Sequence, residues 1–217
     1  MTKKRKVNNL TALAVLATLL EKPMHRYEVA SKLKQRGKEA DLDIKWGSLY
    51  TVVQNLEKAG FLEVVGSERD GARPERTIYR ITEAGRAELF DWTRELLANP
   101  EPESSRFVAG LSIVATLAPD EVVELLDRRV ATLRERVAAG RREIDTLLRR
   151  SLPRLLLLES EYRIAMLTAE AQWAQSLRTE LADGTFPDVE FWRRIHAEGL
   201  DLAEVAHQIE KGVGVQE

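Results

Sequence analysis

Cysteine is absent from this 217-residue chain, which excludes disulfides, thiolate nucleophiles, zinc fingers and cysteine-bound iron–sulfur clusters. Histidine is scarce too, with only His25, His196 and His207 present. The last two would lie roughly 16 Å apart along a helix, too far to share one ion. No glycine-rich phosphate loop, no carboxylate cluster with metal-ligand spacing and no serine–histidine pairing occurs. Neither an enzymatic activity nor a metal or other cofactor is expected. No apolar run reaches the roughly 20 residues that a bilayer requires, so no membrane association is expected and a reducing, cytoplasmic location is.

What is present is an ordinary soluble mixture, 44% hydrophobic and 31% charged, in a chain long enough for one large domain or two small ones. The net charge of -2 conceals a division: residues 1–95 carry +4 and residues 96–217 carry -6. Nine of the ten lysines lie at or before Lys58. A basic front half joined to an acidic rear half suggests a polyanionic partner for the front alone.

The N-terminus imitates a secretory signal, with Lys3, Lys4, Arg5 and Lys6 ahead of an apolar run from Leu10 to Leu20. The run ends in Glu21-Lys22-Pro23 without a small-x-small cleavage site. It therefore reads as a core helix behind a basic tail, and the tail as a disordered arm attracted to phosphate.

The first helix is expected over about 9–20, with Leu10, Leu13, Ala14, Leu16, Ala17 and Leu20 as its apolar face. A second runs from about Tyr27 to Gln35, turning Tyr27, Val29, Ala30 and Leu33 inward, and Gly37 closes it. The third starts near Trp46–Ser48 and ends before Gly60; Leu49, Val52, Val53 and Leu56 form an i, i+3, i+4, i+7 stripe. Trp46 is expected to pack. The period then changes to two, at Phe61–Val65 and again at Arg76–Ile81, around a Gly/Pro/Asp-rich loop. A fourth helix begins near Thr82 and stops at Asn99-Pro100-Glu101-Pro102. That proline pair places the domain boundary, giving 1–98 and 99–217.

The rear half reads as helical throughout. Leu126, Val130, Leu133, Val137, Gly140, Ile144 and Leu147 alternate by four and three, a heptad seam with a hole at Gly140. A further stretch follows through Leu158, Tyr162, Ala165, Ala169 and Trp173, then a turn at Asp183-Gly184. Trp192, Ile195, Gly199, Leu202, Val205 and Ile209 line a last helix. So much apolar stripe suggests that part of it meets a second copy, with Leu126, Val130, Leu133, Val137, Ile144 and Leu147 as dimerisation residues.

Three helices followed by a two-stranded hairpin make a winged helix-turn-helix, so the fold class is mainly α with a small β-hairpin wing and an all-α C-terminal dimerisation domain. A major groove admits one helix, and that helix must keep an apolar side on its own core. The third helix meets this requirement. On its free face Gln54 and Asn55 suit bidentate contact with adenine, Lys58 suits guanine or phosphate, and Tyr50 and Thr51 suit phosphate or a thymine methyl. Lys45 and Ser48 at its start complete that set. In the wing, Arg69, Arg73 and Arg76 suit phosphate or a narrow minor groove, beside Glu68, Asp70 and Glu75.

The run Pro23-Met24-His25-Arg26-Tyr27-Glu28-Val29-Ala30 resembles the PadR family of transcriptional regulators. So do Gly47-Ser48-Leu49-Tyr50, Leu56-Glu57-Lys58-Ala59-Gly60-Phe61 and Tyr79-Arg80-Ile81-Thr82-Glu83-Ala84-Gly85-Arg86. The resemblance covers about residues 8–95 and extends less specifically to the rear half, which looks like the longer members; Arg26 stands where members usually carry glycine. It implies a homodimer, usually a repressor, on a pseudo-palindromic operator in double-stranded DNA, where a small molecule often weakens binding; the ligand class does not carry over between members, and a small aromatic or hydrophobic effector is the candidate partner. Tyr162, Met166 and Trp173 are the candidate effector residues. The alternative is a winged-helix module that binds protein rather than specific DNA.

Overall fold

A computed structural model describes residues 5–37, 44, 46–68, 76–100 and 105–199. The chain divides into two compact units, 1–102 and 103–217.

In the first unit α1 (Leu10–Leu19) starts at Asn9, whose side chain accepts a hydrogen bond from Thr11 N. It touches α2 (Arg26–Gln35), α3 (Leu49–Lys58), α4 (Glu83–Ala98) and β3 (Arg76–Ile81), so it is enclosed on several sides. Ala12, Val15 and Leu16 are fully buried, whereas Leu10 and Ala17 are exposed. The expected single apolar face is thus corrected: a helix surrounded by neighbours has no one inward stripe.

Among the described residues the sheet has three strands, β1 (Met24–His25), β2 (Leu62–Glu68) and β3, in the order β1–β3–β2, all antiparallel. The hairpin is β2 (Leu62–Glu68) with β3, and its register shifts by one between Val64 and Gly66. The additional strand, β1 (Met24–His25), pairs Met24 with Tyr79 and His25 with Ile78. His25 also caps α2, its Nδ1 accepting from Glu28 N at 3.1 Å. Thr82 caps α4: it accepts from Gly85 N at 3.0 Å and donates to the Gly60 carbonyl at 2.7 Å. Trp46 packs on the core of this unit, with Lys34 over its ring.

The basic tail needs correcting at Arg5. Its side chain is 2% exposed, paired with Glu88, Glu95 and, at 3.5 Å, Asp91 of α4, and it lies over the Trp92 ring. A guanidinium held by carboxylates on one helix flank is not an arm free to meet phosphate. Lys3 and Lys4 lie outside the described residues.

The second unit is built on α6 (Pro119–Arg149) and α7 (Leu158–Ala182), preceded by α5 (Arg106–Leu111) and followed by α8 (Val189–Glu198). Pro119 begins α6, with Asp120 and Glu121 in its first turn to suit the helix dipole. Arg129 pairs with Glu170 and Arg178 with Asp127, joining α6 to α7, and the Arg178 hydrogen bond holds the Asp127 carboxyl below the usual carboxylate range. Gly140 is not a defect in the seam. A Cβ there would stand 3.0 Å from Ile164 Cδ1, so the missing side chain makes room for Ile164. Trp192 of α8 donates to the Leu117 carbonyl at 2.9 Å. Gly199, expected inside the last helix, instead ends α8 as a left-handed cap at φ 63°; Leu202, Val205 and Ile209 lie outside the described residues. Among the described residues no helix is long and apolar enough to cross a membrane, and no cluster of ligating side chains could hold a metal ion.

Candidate nucleic-acid interface

The α3 sequence divides cleanly by helical period. Leu49, Val52, Val53 and Leu56 are buried in the core, while Thr51, Gln54, Asn55 and Lys58 are exposed. The exposed four sit at i, i+3, i+4 and i+7, so they share one outward face. The three-residue 3₁₀ turn Trp46–Ser48 leads into the helix, Ala59 caps it, and Gly60 at φ 79° takes the chain into the wing. Lys58 forms no ion pair among the described residues. Its ammonium therefore stays uncompensated at the end of a face otherwise made of amide and hydroxyl groups.

Tyr50 sits at the start of this face, half-buried, rather than on it. Tyr27 meets it edge-to-face, with ring centroids 5.7 Å apart at 81°. Here the structure corrects the inward reading of Tyr27, which is 55% exposed. Two residues before the buried Val29, it lies about 200° round the helix and must point away from the core. The hydrogen bond with Tyr27 is the main reason the Tyr50 hydroxyl is held above the ordinary phenol range; burial and the charge on Tyr27 add to it, while Arg26 pulls the other way. Tyr50 is thus neutral, and a hydrogen-bond donor, at physiological pH.

Ser48 is half-buried beneath the start of α3. Lys45, Arg69 and Arg73 lie outside the described residues, and Arg76 is placed only as the first residue of β3, opposite Glu68. On the wing strands Arg80 is engaged by Glu63 at 2.8 Å. Sequence reasoning missed Arg26, whose guanidinium carbon stands 3.9 Å from the Tyr50 ring centroid. No periodicity within α2 or α3 signals a contact that joins the two helices through side chains.

In the second unit Leu126, Val130, Leu133 and Val137 are buried within the chain, on the helix that packs against α7, and Ile144 and Leu147 are half-buried. The seam therefore closes this chain's own hairpin. Exposed apolar side chains remain elsewhere, including Leu155, Leu156, Leu158 and Ile113. Tyr162, Met166 and Trp173 are 67%, 48% and 49% exposed along α7. Trp173 meets Phe107 edge-to-face, and Arg129 lies 3.6 Å from the Phe107 ring centroid. None of the three lines the open groove of 710 Å³ between α6 and α7, whose walls carry Arg134, Arg141, Arg142, Thr168 and Gln175.

Comparison with known proteins agrees with this geometry. Residues 15–91 match the transcriptional regulator PadR-like family. PadR of Bacillus subtilis, solved in complex with operator DNA, is similar in fold at a TM-score of 0.66 and 18% identity, over 80% of this chain and 99% of that one. The same protein in complex with p-coumaric acid gives 0.66 and 17%, with the same coverage. The smu.1604c protein of Streptococcus mutans gives 0.53 and 23%, over 79% of this chain and 98% of that one. No curated protein matches the sequence. The outward face of α3 and the three-stranded wing thus lie within a span, residues 15–91, that matches the PadR-like family of transcriptional regulators.

Proposed function

We propose that this chain is a sequence-specific DNA-binding repressor, active in the cytoplasm as a homodimer on a pseudo-palindromic operator and released by a small aromatic or hydrophobic effector. The observation that carries the reading is the α3 face, where Thr51, Gln54, Asn55 and Lys58 project together from a helix anchored by its opposite side. Amide side chains there match adenine edges and the lysine matches guanine or phosphate. The two B. subtilis PadR structures, with operator DNA and with p-coumaric acid, are solved examples of both kinds of complex on a similar fold. The domain roles follow, with 1–98 binding DNA and 99–217 serving dimerisation and the effector.

The test is fluorescence anisotropy of the full-length protein on its own upstream region, with a shuffled fragment beside it. A dimer that neutralises about six phosphates loses about three decades of affinity between 50 and 200 mM salt. Combined alanine substitution of Lys58, Arg69 and Arg73 is expected to weaken binding to both fragments while leaving the fold intact, and unchanged affinity would remove these residues from the interface. Gln54→Ala and Asn55→Ala are expected to act differently. Each should cost about 1–3 kcal/mol at one base position and relax preference there, and an unaltered base-preference profile would reject them as readers. Salt-insensitive binding of the wild type, indifferent to sequence, would favour the protein-binding module.

A further inference from the structure

The cations around α2 are held in two different ways. Lys22 pairs with Glu28 at 2.8 Å, Lys32 pairs with Glu21 at 2.6 Å, and Arg36 also pairs with Glu21. Arg26, the first residue of α2, forms no ion pair among the described residues. Aromatic rings hold it instead: its guanidinium carbon is 3.9 Å from the Tyr50 centroid and 5.5 Å from that of Tyr27. The difference matters chemically. A carboxylate cancels the charge of a guanidinium and occupies its N–H edge, whereas a ring takes only a face. The charge persists, and the in-plane donors not engaged by the Tyr50 hydroxyl remain to meet phosphate oxygens.

The position is equally specific. Tyr50 is the second residue of α3 and leads directly into the exposed Thr51, Gln54 and Asn55. A helix lying in a major groove has phosphate backbone on either side, so a cation fixed beside its first turn stands next to that backbone and not over base edges. We propose that Arg26, aimed by Tyr50 and Tyr27, is a clamp for the phosphodiester backbone of duplex DNA that fixes how α3 seats in the groove. This rests on the DNA-binding reading above. It adds a contact and a two-tyrosine positioning device outside α3 and the wing.

A phosphate contact does not depend on base sequence, so the test uses two duplexes, a mixed-sequence 30-mer and the protein's own upstream fragment. Wild type, R26A, R26K, Y50L and R26A/Y50L are titrated as full-length proteins between 25 and 200 mM salt, with thermal melts alongside. R26A is expected to weaken binding to both duplexes about tenfold at 50 mM and to lower the log–log salt slope by about 0.9 per bound chain. R26K is expected to restore the slope but not the full affinity, because an ammonium lacks the planar fork. In the double variant the two losses should fall short of additive, since Y50L already frees the guanidinium from its seat. An R26A slope and affinity equal to wild type would overturn the clamp while leaving the DNA-binding reading in place. So would a weakened R26A whose slope is unchanged and whose melt is lowered, because that is a folding effect. Wild type that binds neither duplex, or binds without salt dependence, would overturn the broader reading and the clamp with it.

Discussion

Alanine at position 85 is expected to destabilise the N-terminal unit by about 3 kcal/mol, near the upper end of overpacking costs. In a unit of this size that corresponds to a melting temperature lower by roughly 10–20 °C. A Cβ at Gly85 would stand 2.2 Å from the Phe61 carbonyl oxygen and 2.9 Å from Ile81 Cγ1. The first is backbone and cannot swing aside. The Phe61 carbonyl also accepts from Thr82 N at 3.0 Å, and Thr82 in turn bonds Gly60 and Gly85 through its hydroxyl. Withdrawing α4 to admit one methyl group therefore breaks the corner where α3, β2 and α4 meet. Circular dichroism melts of Gly85→Ala check this, and a midpoint within about 3 °C of wild type would show that α4 moves freely there. DNA affinity should fall with the fold, since the same corner fixes the end of α3.

Leu133→Asp is expected to cost about 4 kcal/mol, because it removes a buried leucine and puts a carboxylate among the apolar side chains that held it. Leu133 is 4% exposed within its own chain, between Val130 and Val137 on α6. The first effect should therefore be opening of the α6–α7 hairpin, read as lost helical signal and as faster amide exchange in both helices. Size-exclusion chromatography then reports what becomes of the assembly. A variant of unchanged melt and unchanged mass would mean that this position tolerates charge and that the seam is not a core.

How far the sequence could be read depended on whether a feature was local. The α3 stripe was readable because one face is buried and the other wet, so period and burial agree from Leu49 to Lys58. The hairpin was readable from period two and its loop chemistry. Strand β1 was not, since two residues carry no period and Met24–His25 becomes a strand only by pairing with residues more than fifty positions away. Enclosure hid the α1 face, as apolar residues all round give no direction. Tyr27 carries an amphipathic ring that composition groups with the core, yet its spacing from Val29 and Leu33 turns it outward. For the seam at 126–147 the alternation announced burial but not the identity of the covering surface, which is α7 for its buried positions. Arg26 on Tyr50 joins two helices through side chains alone, and no pattern within either helix announces it.

The seat of Arg5 on α4 has a mechanical consequence. Glu88, Asp91 and Glu95 occupy one flank of α4 at i, i+3 and i+7, and a residue more than eighty positions earlier supplies their counter-charge. The segment that precedes α1 is thus moored to α4. Load applied there, by a fused domain or a processive unfoldase, is borne by α4 before α1 feels it. Proteolytic trimming that passes residue 5 removes the Arg5 guanidinium from the three carboxylates along that edge of α4. The ragged end of such a fragment would then report on the stability of a helix it does not belong to.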